Sequence, residues 1–217
     1  VLFKNFSMQI EAGERVAIIG PNGIGKTTLL RTLVGEMTPD AGAVKWTDSA
    51  EVGYYAQDHA HDFEADETLF EWMGQWTTGE QNIRAALGRM LFSSDEIQKS
   101  VKVLSGGERN RLNLALTLKE GGNLTLLDEP TNDLDVETLG SLENALQAFP
   151  GCAVVISHDR WFLDRTCTHI LAWEGNVEEG QWFWFEGNFG DYEKNKVDRL
   201  GEEAARPSRV THRKLTR

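Results

Sequence analysis

Cysteine is scarce in this sequence, with only Cys152 and Cys167 among 217 residues. Neither has zinc-site or dithiol spacing, and both lie in apolar surroundings. That excludes a disulfide framework and predicts two small core residues of a chain kept reduced in the cytoplasm. Long apolar runs are missing as well. No stretch approaches the roughly 20 residues of a membrane-spanning helix, and no signal segment is visible, so a soluble chain is expected. Basic charge is in short supply, with 22 Lys and Arg against 34 Asp and Glu for a formal charge of −12. A body so acidic excludes non-specific nucleic-acid binding except through a local basic patch. One such patch is present at residues 206–217, where Arg206, Arg209, Arg213, Lys214 and Arg217 occur with no acid. It suits either an RNA-contacting arm or a solvated tail. Internal repeats and low-complexity linkers are also lacking, and the length suits a single domain.

What is present is an alternation of apolar runs and helical patterns. "RVAIIG" (15–20) has buried-strand character and is followed by helical spacing in "KTTLLRTLVGE". "AVKW" and "EVGYYA" predict two strands around a turn, forming a small β-rich edge near the N-terminus. From about Asp66 to Phe92 the pattern is helical, with Leu69, Phe70, Trp72, Met73 and Trp76 on one side. Another helix is expected from Ser105 to about Glu120, then strands at "LTLLDEP" and "CAVVISHD" flanking the amphipathic "VETLGSLENALQAF". "HILAW" and "WFWFEG" follow, and then a polar helix from about Asp191. The alternation in "WFWF" (182–185) fits a strand with one packed face better than a base-stacking platform. Strands alternating with helices predict an α/β fold with a mostly parallel sheet, whose ligands gather beyond the carboxyl ends of the strands.

The end of the first strand carries the first chemical motif. "GPNGIGKT" (20–27) has the glycine, four residues, glycine, lysine, threonine spacing of a phosphate-binding loop. Gly20, Pro21, Asn22, Gly23, Ile24 and Gly25 let backbone N–H groups curl around phosphates. Lys26 reaches the outer phosphates, and the Thr27 hydroxyl is a Mg²⁺ ligand. Thr28 opens a helix whose positive end favours the anion.

Two more strand ends deliver polar groups. "LTLLDEP" places Asp128 to hold Mg²⁺ through water and Glu129 to orient and polarise an attacking water. "VVISHDRWF" delivers His158, preceded by Ser157, to a position where contact with a terminal phosphate is geometrically reasonable. The "HAH" of His59 and His61, flanked by Asp58 and Asp62, lacks a further ligand and fits a polar loop better than a metal site.

"VLSGGERNR" (103–111) raises a different question. Glycine in a helix costs about 1 kcal/mol relative to alanine, so adjacent glycines at a helix start need a reason. Ser105 and Glu108 form a capping box, which leaves Gly106 and Gly107 unexplained. Bare N–H groups at a capped helix start make a second phosphate-binding surface.

"LSGGE" taken with "GPNGIGKTT", "LLDEP" and a strand-end histidine resembles the nucleotide-binding domain of the ABC ATPase superfamily, over nearly the whole chain. The resemblance implies an ABC-type fold with a helical subdomain at about 59–104. It also implies ATP and Mg²⁺ as ligands, and ATP sandwiched between two facing domains. Ser105, Gly106, Gly107 and Glu108 would then meet the nucleotide held by a second ABC domain, in the same parent chain or in a homodimer. Gln57, in "YYAQD", matches the glutamine that senses Mg²⁺ and water. Thr131–Asp135, "TNDLD", matches the D-loop that crosses the interface, and His158 matches the switch histidine. Phe3 is the candidate for the aromatic residue that stacks on adenine.

"DEPTNDLD" with "ISHDRWFLD" is similar to the ABC-F branch, soluble twin-domain ATPases that act on the ribosome. The two halves of the chain resemble two different ABC-F subgroups, which suggests a mosaic. One domain without the family's linker implies a piece corresponding to the second domain of such a protein. By resemblance the partners are the ribosome, rRNA and tRNA rather than a membrane, and the isolated domain is a weak ATPase. The competing readings are the ATPase subunit of an ABC transporter, which the D-loop wording disfavours, and a non-hydrolysing interaction module, which Glu129 and His158 disfavour.

Overall fold

The computed structural model describes residues 6–56, 63, 65–120, 122–175 and 181–201. Strand β1 (Arg15–Ile19) runs into a loop and helix α1 (Lys26–Val34), then β2 (Val52–Tyr55). Helices α2 (Leu69–Gly74) and α3 (Glu80–Arg89) and two short 3₁₀ turns lead to α4 (Gly106–Glu120). Then come β3 (Leu124–Asp128), α5 (Val136–Gln147), β4 (Cys152–Ile156), α6 (Arg160–Thr166), β5 (His169–Glu174), β6 (Gln181–Glu186) and α7 (Phe189–Leu200).

The six strands form one sheet in the order β2-β3-β4-β1-β5-β6. All neighbours are parallel except β5 and β6. Register is pinned by apolar pairs such as Ile18↔Ile156 and Leu126↔Val154. Because side chains alternate across a strand, each strand feeds two cores. Val16, Ile18, Leu126, Val154 and Leu171 pack with Leu30 and Leu33 of α1 on one face. Ala17, Leu127, Val155 and Ile170 join Leu112 and Leu114 of α4, Leu142 of α5 and Phe162 of α6 on the other. This is the expected α/β fold with a mostly parallel sheet.

Three details differ from the sequence reading. Residues 43–46 form no strand; Trp46 instead donates its indole N–H to the Leu33 carbonyl, 2.9 Å, at the end of α1. The antiparallel edge is therefore built by β5 and β6, far along the chain, while β2 joins the parallel sheet beside β3. The helical stretch at 66–92 is broken at Thr77-Thr78-Gly79, where Gly79 takes φ 90 and caps α3. Trp76 falls beyond α2 and is half exposed, whereas Leu69, Trp72 and Met73 are buried. Finally, "WFWF" packs on both faces: Trp182 and Trp184 lie against one core, and Phe183 and Phe185 against the other.

Helix α7 is clamped to this edge by charge. The Glu174 carboxylate takes both Arg199 nitrogens, at 2.7 and 3.1 Å, and the Tyr192 hydroxyl at 3.0 Å. Arg199 also lies 3.6 Å over the Phe183 ring. Burial alone would push the Glu174 carboxyl up, but these donors outweigh it and hold it below the usual range.

Candidate phosphate and nucleotide site

Parallel strands bring the carboxyl ends of β1, β3 and β4 side by side, and each delivers part of the site. After β1, Gly20 has no room for a side chain: a Cβ there would sit 2.9 Å from the Trp173 Cβ on β5. The loop is then bent by Gly23 and Gly25, at φ 83 and 102, left-handed values that glycine alone adopts without strain. Ile24 is buried and pins the loop to the core. Gly25 caps α1 with no side-chain bond, so Thr27, Thr28 and their neighbours begin the helix with free N–H groups.

Lys26 is buried and its ammonium donates to the Gly20 and Pro21 carbonyls at 2.9 and 3.2 Å. Burial lowers its pKa from the ordinary 10.5, with Glu129 and Asp128 pulling the other way. An ammonium has three N–H donors, and these two bonds leave one for a ligand anion.

Asp128, at the end of β3, is 1 % exposed, yet neither of its carboxylate oxygens closes a hydrogen bond. Burial raises its pKa, while the nearby Thr27 hydroxyl and the charges of Lys26 and Arg31 pull it back. Thr27 bears on the carboxylate without reaching bonding geometry. A buried carboxylate with two orphaned oxygens is costly unless a cation or bound water completes it. Hard oxygen donors of this kind fit Mg²⁺, which keeps water and phosphate oxygens in its shell rather than an all-protein cage. Among the described residues no cluster of three His, Cys, Asp or Glu could hold a metal unaided.

Glu129 leaves the strand at φ 53, a left-handed conformation costing a non-glycine residue about 1–2 kcal/mol. Its N–H is fixed to the Ile156 carbonyl, 2.9 Å. One carboxylate oxygen meets His158 Nε2 at 3.3 Å, and the other is buried without a partner. His158 Nε2 also lies 3.2 Å from Asn22 Oδ1, so the histidine bridges the carboxylate and the phosphate loop. Both neighbours are oxygens, so in the neutral ring Nε2 carries the hydrogen.

Ser105 and Glu108 form the expected box. The Glu108 carboxylate accepts the Ser105 N–H at 2.9 Å and its hydroxyl at 2.8 Å, and the Ser105 oxygen accepts the Glu108 N–H at 3.3 Å. These bonds, with Lys99 adding to them, hold Glu108 down to about 2. The two glycines differ. A Cβ on Gly107 would lie 3.2 Å from the Asp133 carbonyl, whereas one on Gly106 would meet nothing within 4 Å. Among the described residues no hydrogen bond or ion pair links residues 105–108 to the phosphate loop, so the two glycine elements act separately within one chain.

Gln57, Phe3, the His59–His61 pair and the basic tail 206–217 lie outside the described residues. Two contacts were not legible beforehand. Asn22 was a loop residue by pattern, with no sign of its reach to His158. Asn110 donates to the Asn132 carbonyl at 3.3 Å and ties α4 to the D-loop segment; a single asparagine on a helix gives no sequence signal.

The ABC transporter family matches residues 3–132, more than half of the chain. An "Energy-dependent translational throttle protein EttA" from Mycobacterium tuberculosis is 60 % identical over 223 aligned residues, which take in all of this chain and 40 % of that protein. A "Probable ATP-binding protein YbiT" from Escherichia coli is 46 % identical over 90 % of this chain and 37 % of its own length. The chain thus spans about two fifths of these relatives. The throttle-protein alignment takes in the whole of this chain, both halves included. Among solved structures, the archaeal ribosome recycling factor aABCE1, in complex with the ribosomal stalk protein aP1, has a TM-score of 0.68 at 27 % identity, covering 86 % of this chain and 37 % of that one. ABCE1 in a model of ribosome-bound archaeal Pelota and ABCE1 gives 0.70 at 30 %, over 82 % and 31 %. With its phosphate loop, paired carboxylates and strand-end histidine brought together at the carboxyl end of the sheet, the chain belongs to the ABC family of ATPase domains, on its ABC-F branch.

Proposed function

We propose that this domain binds Mg-ATP on the 20–28 loop and hydrolyses it when a second ABC domain closes over it, as part of a factor that acts on the ribosome. The observation that carries the reading is the convergence of Lys26, Asp128, Glu129 and His158 at three adjacent strand ends, with Asp128 and Glu129 still holding unpartnered buried oxygens. The loop N–H groups and Lys26 bind and orient the phosphates. Asp128 and Thr27 would hold Mg²⁺, with Gln57 as a further ligand; the ion supplies neutralisation of phosphate charge. The free oxygen of Glu129 orients a water for in-line attack and takes up its proton, and His158 donates its Nε2–H toward the terminal phosphate. The helices within 59–104 form the lobe that presents Ser105–Glu108 to the nucleotide of the partner. Without that partner, turnover by the isolated domain is weak. The reading as a ribosomal factor rests on the names of the throttle-protein and ABCE1 relatives. Among the described residues no helix is long and apolar enough to cross a membrane.

The test is Glu129→Gln. It should keep ATP binding and cut turnover about 100-fold or more, since it removes the proton acceptor and keeps the shape. Trapped with Mg-ATP at physiological salt, the variant should co-sediment with ribosomes. ATP binding without co-sedimentation would overturn the ribosomal part and favour the transporter subunit; unchanged turnover would remove Glu129 from its role.

A further inference from the structure

The pairing of β3 with β4 ends at Asp128↔Ile156, just before the two groups that matter. Beyond it the Glu129 N–H reaches the Ile156 carbonyl, and then the chains diverge, one toward the D-loop and the other toward His158. Besides the Glu129–His158 contact, a further side-chain contact bridges the gap. Thr131 Oγ1 and Ser157 Oγ lie 2.8 Å apart, and the Ser157 oxygen accepts the Asp159 N–H at 3.0 Å. Asp159 in turn caps α6 by accepting the Phe162 N–H at 3.0 Å. His158 itself is 60 % exposed and held only by long contacts to Glu129 and Asn22, so its place depends on the backbone on either side of it. That backbone is what Ser157 fixes.

Thr131 has a second connection. It heads the segment whose Asn132 carbonyl takes the Asn110 amide and whose Asp133 carbonyl lies against Gly107. A displacement at the start of α4 is therefore carried along three consecutive residues to the Thr131 hydroxyl.

We propose that Thr131 is a positioning residue: through the buried hydroxyl of Ser157 it sets His158 against Glu129, and it links that pair to the glycine-marked start of α4. This rests on the ATPase reading above. When a second domain docks on the α4 start and the D-loop, the Thr131–Ser157 contact is the element within this chain that reports the event to the switch histidine. The Thr131 hydroxyl meets Ser157, so its effect on turnover should run through His158.

Two measurements on the full chain test this. In the nucleotide-free protein, Thr131→Val keeps the shape but removes the hydroxyl. It should speed amide hydrogen exchange at Asp159 about 5- to 10-fold, the loss of roughly one hydrogen bond, and leave the interior of α5 unchanged. Thr131→Ser should restore the parental rate, and Ser157→Ala, which also removes the acceptor of the Asp159 N–H, should speed exchange there further. In turnover, Thr131→Val should lower kcat by a similar factor at unchanged KM for ATP. In a His158→Ala background it should add nothing, because residues acting through one group are non-additive. An equal loss in both backgrounds, or unaltered exchange at Asp159, overturns the proposal. A parent chain that neither binds nor turns over ATP would sink the ATPase reading instead, and the exchange comparison would still decide the role of Thr131. A thermal melt of each variant separates these effects from failure to fold; if the valine chain does not fold, Thr131→Ala takes its place in both measurements.

Discussion

Of the helix starts marked by glycine, those of α1 and α4 are built on opposite principles. At α1 the described chain leaves bonding capacity open: Gly25 offers no side-chain cap, Lys26 is buried at a cost with two of its three donors on loop carbonyls, and Asp128 keeps both oxygens orphaned. At α4 the chain finishes everything itself. Ser105 and Glu108 satisfy each other, Lys99 pairs with Glu108, and Gly107 is bare because the Asp133 carbonyl needs the space. On the proposed reading, a phosphate loop thus shows its ligand as unmet bonding capacity. The α4 start would show it only at Gly106, whose missing side chain no contact among the described residues requires.

The largest expected effect breaks the α1 side of the comparison. Lys26→Ala removes the buried ammonium that would meet the outer phosphates and should weaken ATP binding or turnover at least about 100-fold, as loss of one well-placed charge donor does. The fold should not suffer. A lysine whose folded pKa lies below 10.5 is destabilising in its charged form; the penalty is full below the folded value and fades as pH climbs from there to 10.5. The alanine variant should therefore melt no lower than the parent at pH 7, apart from the packing lost with the aliphatic stem. A lower melt together with intact ATP binding would make Lys26 a structural residue.

The next effect separates the two glycines of α4. Gly106→Ala meets no atom and no left-handed φ, so it should raise stability by up to about 0.5–1 kcal/mol, the ordinary gain from replacing helical glycine. If Gly106 is kept bare for a partner's nucleotide, the same variant should lose the part of turnover that rises with protein concentration. Gly107→Ala has to push the Asp133 carbonyl by a few tenths of an ångström and should show no stability gain. Urea unfolding and a concentration series of ATP hydrolysis distinguish the two. Identical behaviour would mean that the glycines share one role.

How much of this was legible beforehand follows the same division. The strand, loop and helix at 15–34 carry both a period and a spacing, and the carboxylates of "LLDEP" fall at a strand end because a short strand of three leucines and one threonine precedes them. Local signals sufficed there. The Ser105–Glu108 box was legible too, since its partners lie three residues apart. Residues 43–46 failed because four residues become a strand only if a neighbour pairs with them, and none in the described chain does. Trp76 failed because Thr77-Thr78-Gly79 ends the helical period one turn before the aromatic pattern suggested. The contacts joining Asn22 to His158 and Thr131 to Ser157 span 136 and 26 residues, distances over which a single sequence carries no geometric information.

The smallest effect tests how the chain completes α4. Glu108 is held at about 2, against an ordinary 4.5, by the Ser105 bonds and Lys99. A carboxylate depressed on folding contributes stability that is full above about 4.5 and is lost as pH falls toward 2. Glu108→Gln keeps the shape of the box but not its charge, so it should cost less than about 1 kcal/mol at pH 7, the usual worth of a cap. The deficit should shrink measurably by pH 4, because the unfolded parent has begun to protonate while the folded parent has not. The comparison requires urea unfolding of parent and variant at both pH values. A deficit that stays constant would show the box to be held by shape and neutral hydrogen bonds. A shrinking deficit would show that α4, unlike α1, carries its own anion at its N-terminus.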